Sequence, residues 1–200
     1  KTAESDIYWL NSRSAESNSA EVSFRVTGRV PELWSAQTGK TSKVSWRIEN
    51  GRTVIPLEFE PWDAVFIIFK EKTSETSHVL SKAIEQEISK MNGTWQVDFQ
   101  EKRGAPKTAL FEKLISWSEH YNDGIKYFSG TATYRNAFSI KELNPGSRYL
   151  IDLGDVKNIA EVSLNGKSVG TAWKTPFKLD ITEVVKNGTN QLEIKVTNLW

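Results

Sequence analysis

The chain has 200 residues, 38% of them hydrophobic, and its 26 basic and 25 acidic side chains leave a formal net charge of +1. The charges are interspersed, no Lys/Arg cluster offers a nucleic-acid footprint, and the longest apolar run, Ala64 to Phe69, is far too short to cross a bilayer. With no cysteine, disulfides and thiol chemistry are excluded, and one large core or two small ones must form by apolar burial alone.

The start carries no cationic segment followed by an apolar one, so no signal-peptide pattern is present. Lys1 stands where a Met would begin a native chain, and Asn198-Leu199-Trp200 ends it with strand character, so a piece of a longer protein is expected.

Residues 1–71 read as a small antiparallel β-sandwich. An early strand is expected at Ile7-Tyr8-Trp9-Leu10. Val22, Phe24 and Val26 alternate with Ser23, Arg25 and Thr27, and Val44, Trp46 and Ile48 with Ser45 and Arg47. Such period-2 alternation marks half-buried strands. Glu49-Asn50-Gly51-Arg52 supplies a turn into Thr53 to Leu57. Val65 to Phe69 is apolar on both parities, which predicts a strand covered on both faces.

The character changes over 72–91. Polar residues rich in Ser and Thr come first, and then Leu80, Ile84, Ile88 and Met91 recur at helical spacing. This predicts a linker ending in a short helix, although Ile84 to Ile88 also suits a strand. Asn92-Gly93 then leads into the alternating Thr94 to Phe99, which opens a second β-domain over 92–200.

In that domain Asn165-Gly166 separates two alternating runs, the strongest short-range signal for a two-residue hairpin. Counting outward pairs Val162 with Val169 and Ala160 with Thr171. Thr182 is placed to cap one helical turn through Val185, with Gly188 as its stop. In the last run Leu192, Ile194 and Val196 point inward and Glu193, Lys195 and Thr197 outward.

Catalytic patterns are scarce. The two histidines, His78 and His120, have no second ligand at metal spacing, and no phosphate loop, nucleophile elbow or HExxH occurs. No metal and no cofactor is implied. Asp152, Asp155, Glu161 and Asp180 are carboxylates, but turn and strand-end positions account for Asp155 and Asp180, and Glu161 falls on an outer face. Sugar binding is the chemistry that survives, since pyranose faces stack on aromatic rings while neighbouring polar groups bond the hydroxyls. Two segments combine those groups. One runs from Trp117 to Asp123 and offers Trp117, His120, Tyr121 and Asn122. The other holds Trp173 ahead of Lys174-Thr175-Pro176. Each tryptophan has a competing assignment: Trp173 shares strand parity with Val169 and so fits a core position, and Trp117 follows Leu114-Ile115 and so fits a plug closing the sandwich.

LGDVKNIAEVSLNGKSVGTAWKTPFKLDIT, with the later NGTNQLEIKVTNLW, resembles the galactose-binding-like jelly-roll domain of glycoside hydrolase family 2 and, more closely, the equivalent domain near the C-terminus of family 106 α-L-rhamnosidases. Ser116 to Phe138 resembles the start of that domain, with Tyr127, Gly130 and Tyr134 at its characteristic spacing. PELWSAQTGK and PLEFEPWDAVFIIF resemble the small β-domain preceding it, although Ser35-Ala36-Gln37 stands where an Asp-Pro pair and an apolar residue are usual.

The resemblance implies an all-β chain: a small antiparallel β-sandwich (1–71), a linker (72–91) and a galactose-binding-like jelly-roll β-sandwich (92–200). It further implies a periplasmic or secreted glycoside hydrolase whose catalytic (β/α)₈ barrel is a separate part of the same polypeptide, since about 250 residues of alternating strand and helix have no counterpart in this sequence. The chain itself is then a non-catalytic accessory region that buttresses the barrel and contacts an oligo- or polysaccharide, with no nucleic-acid or membrane partner. An independent carbohydrate-binding module is the alternative, and a self-sufficient enzyme or adhesion domain a third.

Overall fold

Alternating apolar residues pair into antiparallel strands throughout the computed structural model, which describes residues 4–198 and divides into two units between Gln86 and Glu87. In the first unit the strands are β1 (Asp6–Asn11), β2 (Asn18–Phe24), β3 (Arg29–Ser35), β4 (Thr41–Lys43), β5 (Trp46–Glu49), β6 (Arg52–Phe59), β7 (Ala64–Lys72) and β8 (Ser77–His78). They form two sheets, β1-β7-β3-β4 and β2-β6-β5-β8. Between these lie Phe24, Trp46, Ile55 and Leu57 from one sheet and Val65, Ile67 and Phe69 from the other. Phe24 meets Tyr8 edge-on at 4.9 Å and Phe69 at 5.4 Å, so aromatic packing ties the sheets together. Asn50 (φ 51°) and Gly51 (φ 70°) take the left-handed conformations that a two-residue β5–β6 turn requires.

Two expectations change at this point. Only the inward face of β7 is covered by the other sheet. On the outward face Ile68 is buried as expected, but Phe66 stays partly exposed, and Trp9 and Trp34 stand beside it in the register. The expected linker also begins late, because Ser77 and His78 pair with Arg47 and Trp46 and belong to the sandwich.

Residues 79–94 form neither helix nor strand. Ile84 and Ile88 are 85% and 67% exposed. A short helix is marginal in water unless one face is buried, and these side chains have nothing to bury against, so the expected helix does not form.

The second unit contains β9 (Trp95–Phe99), β10 (Thr108–Phe111), a one-turn helix α1 (Asp123–Lys126), β11 (Thr131–Ile140), β12 (Leu150–Asp152), β13 (Ile159–Leu164), β14 (Lys167–Ala172), β15 (Lys178–Asp180) and β16 (Gly188–Thr197). A six-stranded antiparallel sheet, β10-β9-β11-β16-β13-β14, faces the short β12-β15 pair. Val97, Ala132, Ala160, Val162, Leu164 and Leu192 line the inner side of the large sheet, and Ile151, Phe177, Ile181 and Ile125 close over it.

The β13–β14 turn forms at Asn165 (φ 54°) and Gly166 (φ 77°), but the pairing shifts by one beyond Ser163, so that Val162 faces Gly170 and Ala160 faces Ala172. A β-bulge at Val169 adds one residue to β14 and displaces the count made outward from the turn. Asn165 also clasps β16: its amide donates to Val184 O (2.9 Å) and to Asn190 Oδ1 (2.8 Å). Asn190 is fully buried and also donates to Lys186 O and Gly188 O at 2.8 and 3.0 Å.

The expected helical turn at 182–185 is a bare turn. Asp180 Oδ1 accepts from Thr182 N, and the Thr182 hydroxyl accepts from Tyr149 N instead of capping. β16 ends at Thr197, so Asn198 lies past the strand, and Leu199 and Trp200, expected to continue it, fall outside the described residues.

Candidate functional site

The segment from Phe111 to Gly130 packs its Phe111, Trp117 and Phe128 rings on Phe99 of β9, and Phe111 and Trp117 also on Tyr134 of β11. It is built from a one-turn 3₁₀ helix at Trp117–Glu119 and from α1. Asn122 caps α1 by accepting from Gly124 N at 2.9 Å, which satisfies one of the unpaired first-turn donors. Asn198 fastens the far end to β16, accepting from Gly130 N (2.9 Å) and donating to Phe128 O (2.8 Å).

Under this segment opens a cleft of about 980 Å³. Trp95, Tyr134 and Ile194 of the sheet form its floor, Leu114, Trp117 and Phe128 one wall, and Leu153, Asp155 and Lys157 the opposite rim. Trp117 is half-buried. Its ring lies parallel to Tyr134, 7° between planes, and edge-on to Phe128 (5.4 Å) and Phe99 (5.8 Å). Its indole N–H donates to the Tyr134 hydroxyl. Burial pushes the Tyr134 phenol up to about 12, although the Trp117 bond pulls the other way, so it stays neutral at physiological pH. Ser116 and Ser118, their hydroxyls 2.8 Å apart, and the Asp155–Lys157 ion pair (2.7 Å) are among the polar groups of the cleft, with Lys126, Ser129 and Asn198.

The five candidate contacts divide. Trp117 belongs both to the cleft wall and to the packing beneath it. His120 is buried: its ring packs on Phe111 at 5.1 Å and its Nδ1 accepts from Asn122 N, so it holds the loop rather than facing solvent. Asn122 spends its side-chain carbonyl on the α1 cap. Tyr121 is 93% exposed and stacked on His120 at 4.5 Å, which supports one ring face and leaves the other open. Trp173 does not join them. It follows β14, at the opposite edge of the sheet from β9 and β10, and is 57% exposed. The bulge at Val169 breaks the parity on which its core assignment rested.

Chemically, the cleft can stack a ring against aromatic and aliphatic surface and bond it at the edge, as carbohydrate sites do. Asp155 is the one carboxylate among its lining residues, whereas glycoside hydrolysis takes two facing acids. Sequence reasoning did not find the contributions of Trp95, Leu153 and Asp155, which are far apart along the chain. Tyr127, 74% exposed at the rim, and Tyr134 stood out in the motif without showing which surface they face.

The second unit has the galactose-binding-like β-sandwich fold, and the chain resembles β-domains of glycoside hydrolases. Residues 115–200 match the family described as glycosyl hydrolase 2 galactose-binding domain-like, and residues 1–48 match the family described as alpha-L-rhamnosidase. The chain is α-L-rhamnosidase-like along its whole length: it superposes on the rhamnosidase from Novosphingobium sp. PP1Y with a TM-score of 0.96 and 40% identity, covering 100% of this chain and 19% of that one. A curated protein of Formosa agariphila, named as a candidate β-glucuronidase, is 46% identical over 134 residues, or 66% of this chain and 11% of its own length. An uncultured Clostridium sp. β-glucuronidase shares the fold, with a TM-score of 0.50, 21% identity and coverage of 60% and 24% of the two chains. The chain thus spans about a tenth to a quarter of the proteins it resembles.

Proposed function

We propose that these two β units are a non-catalytic accessory region of a periplasmic or secreted glycoside hydrolase of the α-L-rhamnosidase type. They buttress a catalytic domain carried elsewhere in the same polypeptide and contact the carbohydrate through the cleft at Trp117 and the open face of Tyr121. The observation that carries this is the match of all 200 residues to 19% of a rhamnosidase, by a chain whose described residues form two β units. The lone Asp155 in the cleft supports a contact role over catalysis.

The test joins activity to binding. The purified chain should not hydrolyse an aryl α-L-rhamnoside above background. Titration with L-rhamnose should move the Trp117 indole N–H resonance, with affinity on the order of millimolar, as expected when few contacts offset the entropy of association. Turnover lost on mutating a carboxylate of this chain would overturn the non-catalytic assignment, and silent Trp117 and Tyr121 resonances across a monosaccharide panel would overturn the contact.

A further inference from the structure

We propose that the outward face of the β1-β7-β3-β4 sheet is a second carbohydrate platform, built for an extended, uncharged polysaccharide chain, with Trp9 and Trp34 as its stacking rings. It shares only its ligand class with the cleft of the second unit. The strand register carries the argument. Trp9 pairs with Phe66 and Phe66 with Trp34, so three aromatic residues form one row across three strands. Trp9 is 61% and Trp34 40% exposed, and the next row places the exposed Ile7 beside the buried Ile68. The outward face of the other sheet is unlike it, with Glu21, Arg47 and Glu49 joined in ion pairs.

Spacing and charge select the ligand. Neighbouring strands lie about 4.8 Å apart, which puts Trp9 and Trp34 about 10 Å apart, close to the length of a disaccharide. Alternate rings of an extended pyranose chain would therefore fall on the two indoles, with the intervening ring above Phe66. The Trp34 indole is held in place by its N–H bond to Glu32 Oε2 at 3.0 Å. The aromatic row itself carries no charge and ends at the neutral Thr41. Charged side chains begin only in the rows beyond it, with Glu32 opposite Lys43, so the row offers stacking rather than ion pairing and suits a neutral chain. A stable protein partner would require roughly 20–30 residues on each side. The accessible apolar strip of Ile7, Trp9, Trp34 and Phe66, with Ile68 buried beside it, is far smaller, which favours a sugar chain over a separate folded partner.

The experiment titrates the 200-residue chain with cellohexaose, xylohexaose and mannohexaose, and with the corresponding disaccharides, following the tryptophan indole N–H resonances. At least one hexasaccharide should move Trp9 and Trp34 and bind about tenfold more tightly than its disaccharide. Trp9→Ala and Trp34→Ala should each weaken that binding about tenfold, with the unfolding midpoint unchanged, and Trp117→Ala should leave it intact. Three silent hexasaccharides would overturn the platform, as would affinity independent of chain length. Self-association abolished by Trp9→Ala in the absence of sugar shifts would reassign the face to a protein contact. None of these results bears on the Trp117 cleft, whose titration is read at its own resonance.

Discussion

Replacing Trp117 by Ala separates the packing role of this residue from its role as a binding surface. Removing a fully buried aromatic side chain costs about 3–5 kcal/mol, part of which comes from the cavity left behind. Trp117 is half-buried and looks onto an open cleft, so water fills the space and the cavity contribution falls away. What remains is contact with Tyr134, Phe128 and Phe99 and one indole hydrogen bond. The expected loss is about 2–3 kcal/mol, within the range for large side chains. Trp117→Phe keeps a ring in the wall and loses the bond to Tyr134, at about 1 kcal/mol. Trp173→Ala is the control, because an exposed substitution shifts stability by no more than about 0.5 kcal/mol. Urea unfolding, followed at the amide resonances of β9 to β16, reads all three variants on the same unit. If Trp117→Ala costs no more than Trp173→Ala, Trp117 does not hold the wall of the cleft. If Trp117→Phe costs as much as the alanine, the hydrogen bond outweighs the packing, the reverse of the expected order.

Gly124→Ala tests the base of the same loop: a Cβ there would lie 2.3 Å from the Gly104 carbonyl oxygen, a backbone atom that cannot swing away, so a loss of about 1–3 kcal/mol is expected, with chemical-shift changes concentrated at 101–106 and 120–126. Asp98 tests the pH response: the Thr108 hydroxyl above all, then Gln96 and Arg135, holds its carboxyl below the usual range despite partial burial. A folded pKa below the unfolded value of about 3.9 stabilises the protein above that pH, and the stabilisation is lost as pH falls through the folded pKa. Asp98→Asn should therefore lower the second unit's stability by about 0.5–1 kcal/mol at pH 7, with the gap to the parent closing in acid. A gap that is the same at pH 7 and pH 3 would show that charge is not the cause.

The two β units were legible in the sequence because period-2 alternation and turn residues are local signals. Asn50-Gly51 and Asn165-Gly166 both take the conformations their composition demands. The misreadings arose where a local signal met a distant partner. Leu80, Ile84 and Ile88 have helical spacing, but a helix needs a surface to bury its stripe against, and spacing cannot say whether one exists. The bulge at Val169 inserts a residue between two correctly read strands, which moved every pairing beyond it and reversed the side assigned to Trp173. Thr182 has the composition of a cap, yet its hydroxyl is taken by Tyr149 N, and the N–H groups of Val184 and Val185 bond to the Ile181 carbonyl instead.

Aromatic content alone could not have located either surface. Trp46 and Trp95 are buried, Trp117 is shared between core and cleft, and Trp9, Trp34, Trp62 and Trp173 are exposed. In β1, Ile7 and Trp9 alternate with Tyr8 and Leu10, so both parities are apolar and neither declares itself the inner face. The opposing sheet decides: its Phe24, with Phe69 of the neighbouring β7, takes Tyr8 inward, and Trp9 is left on the side of Phe66 and Trp34. An aromatic row of this kind comes from three strands separated along the chain, so it exists only once the register is known. The Trp117 cleft has the same origin, since its floor comes from β9, β11 and β16 and its wall from a loop pinned by Asn198. In both units the surfaces proposed to bind are products of strand pairing, and a substitution that slips the register of β1 on β7 or of β11 on β16 would erase them without touching a residue proposed to contact the ligand.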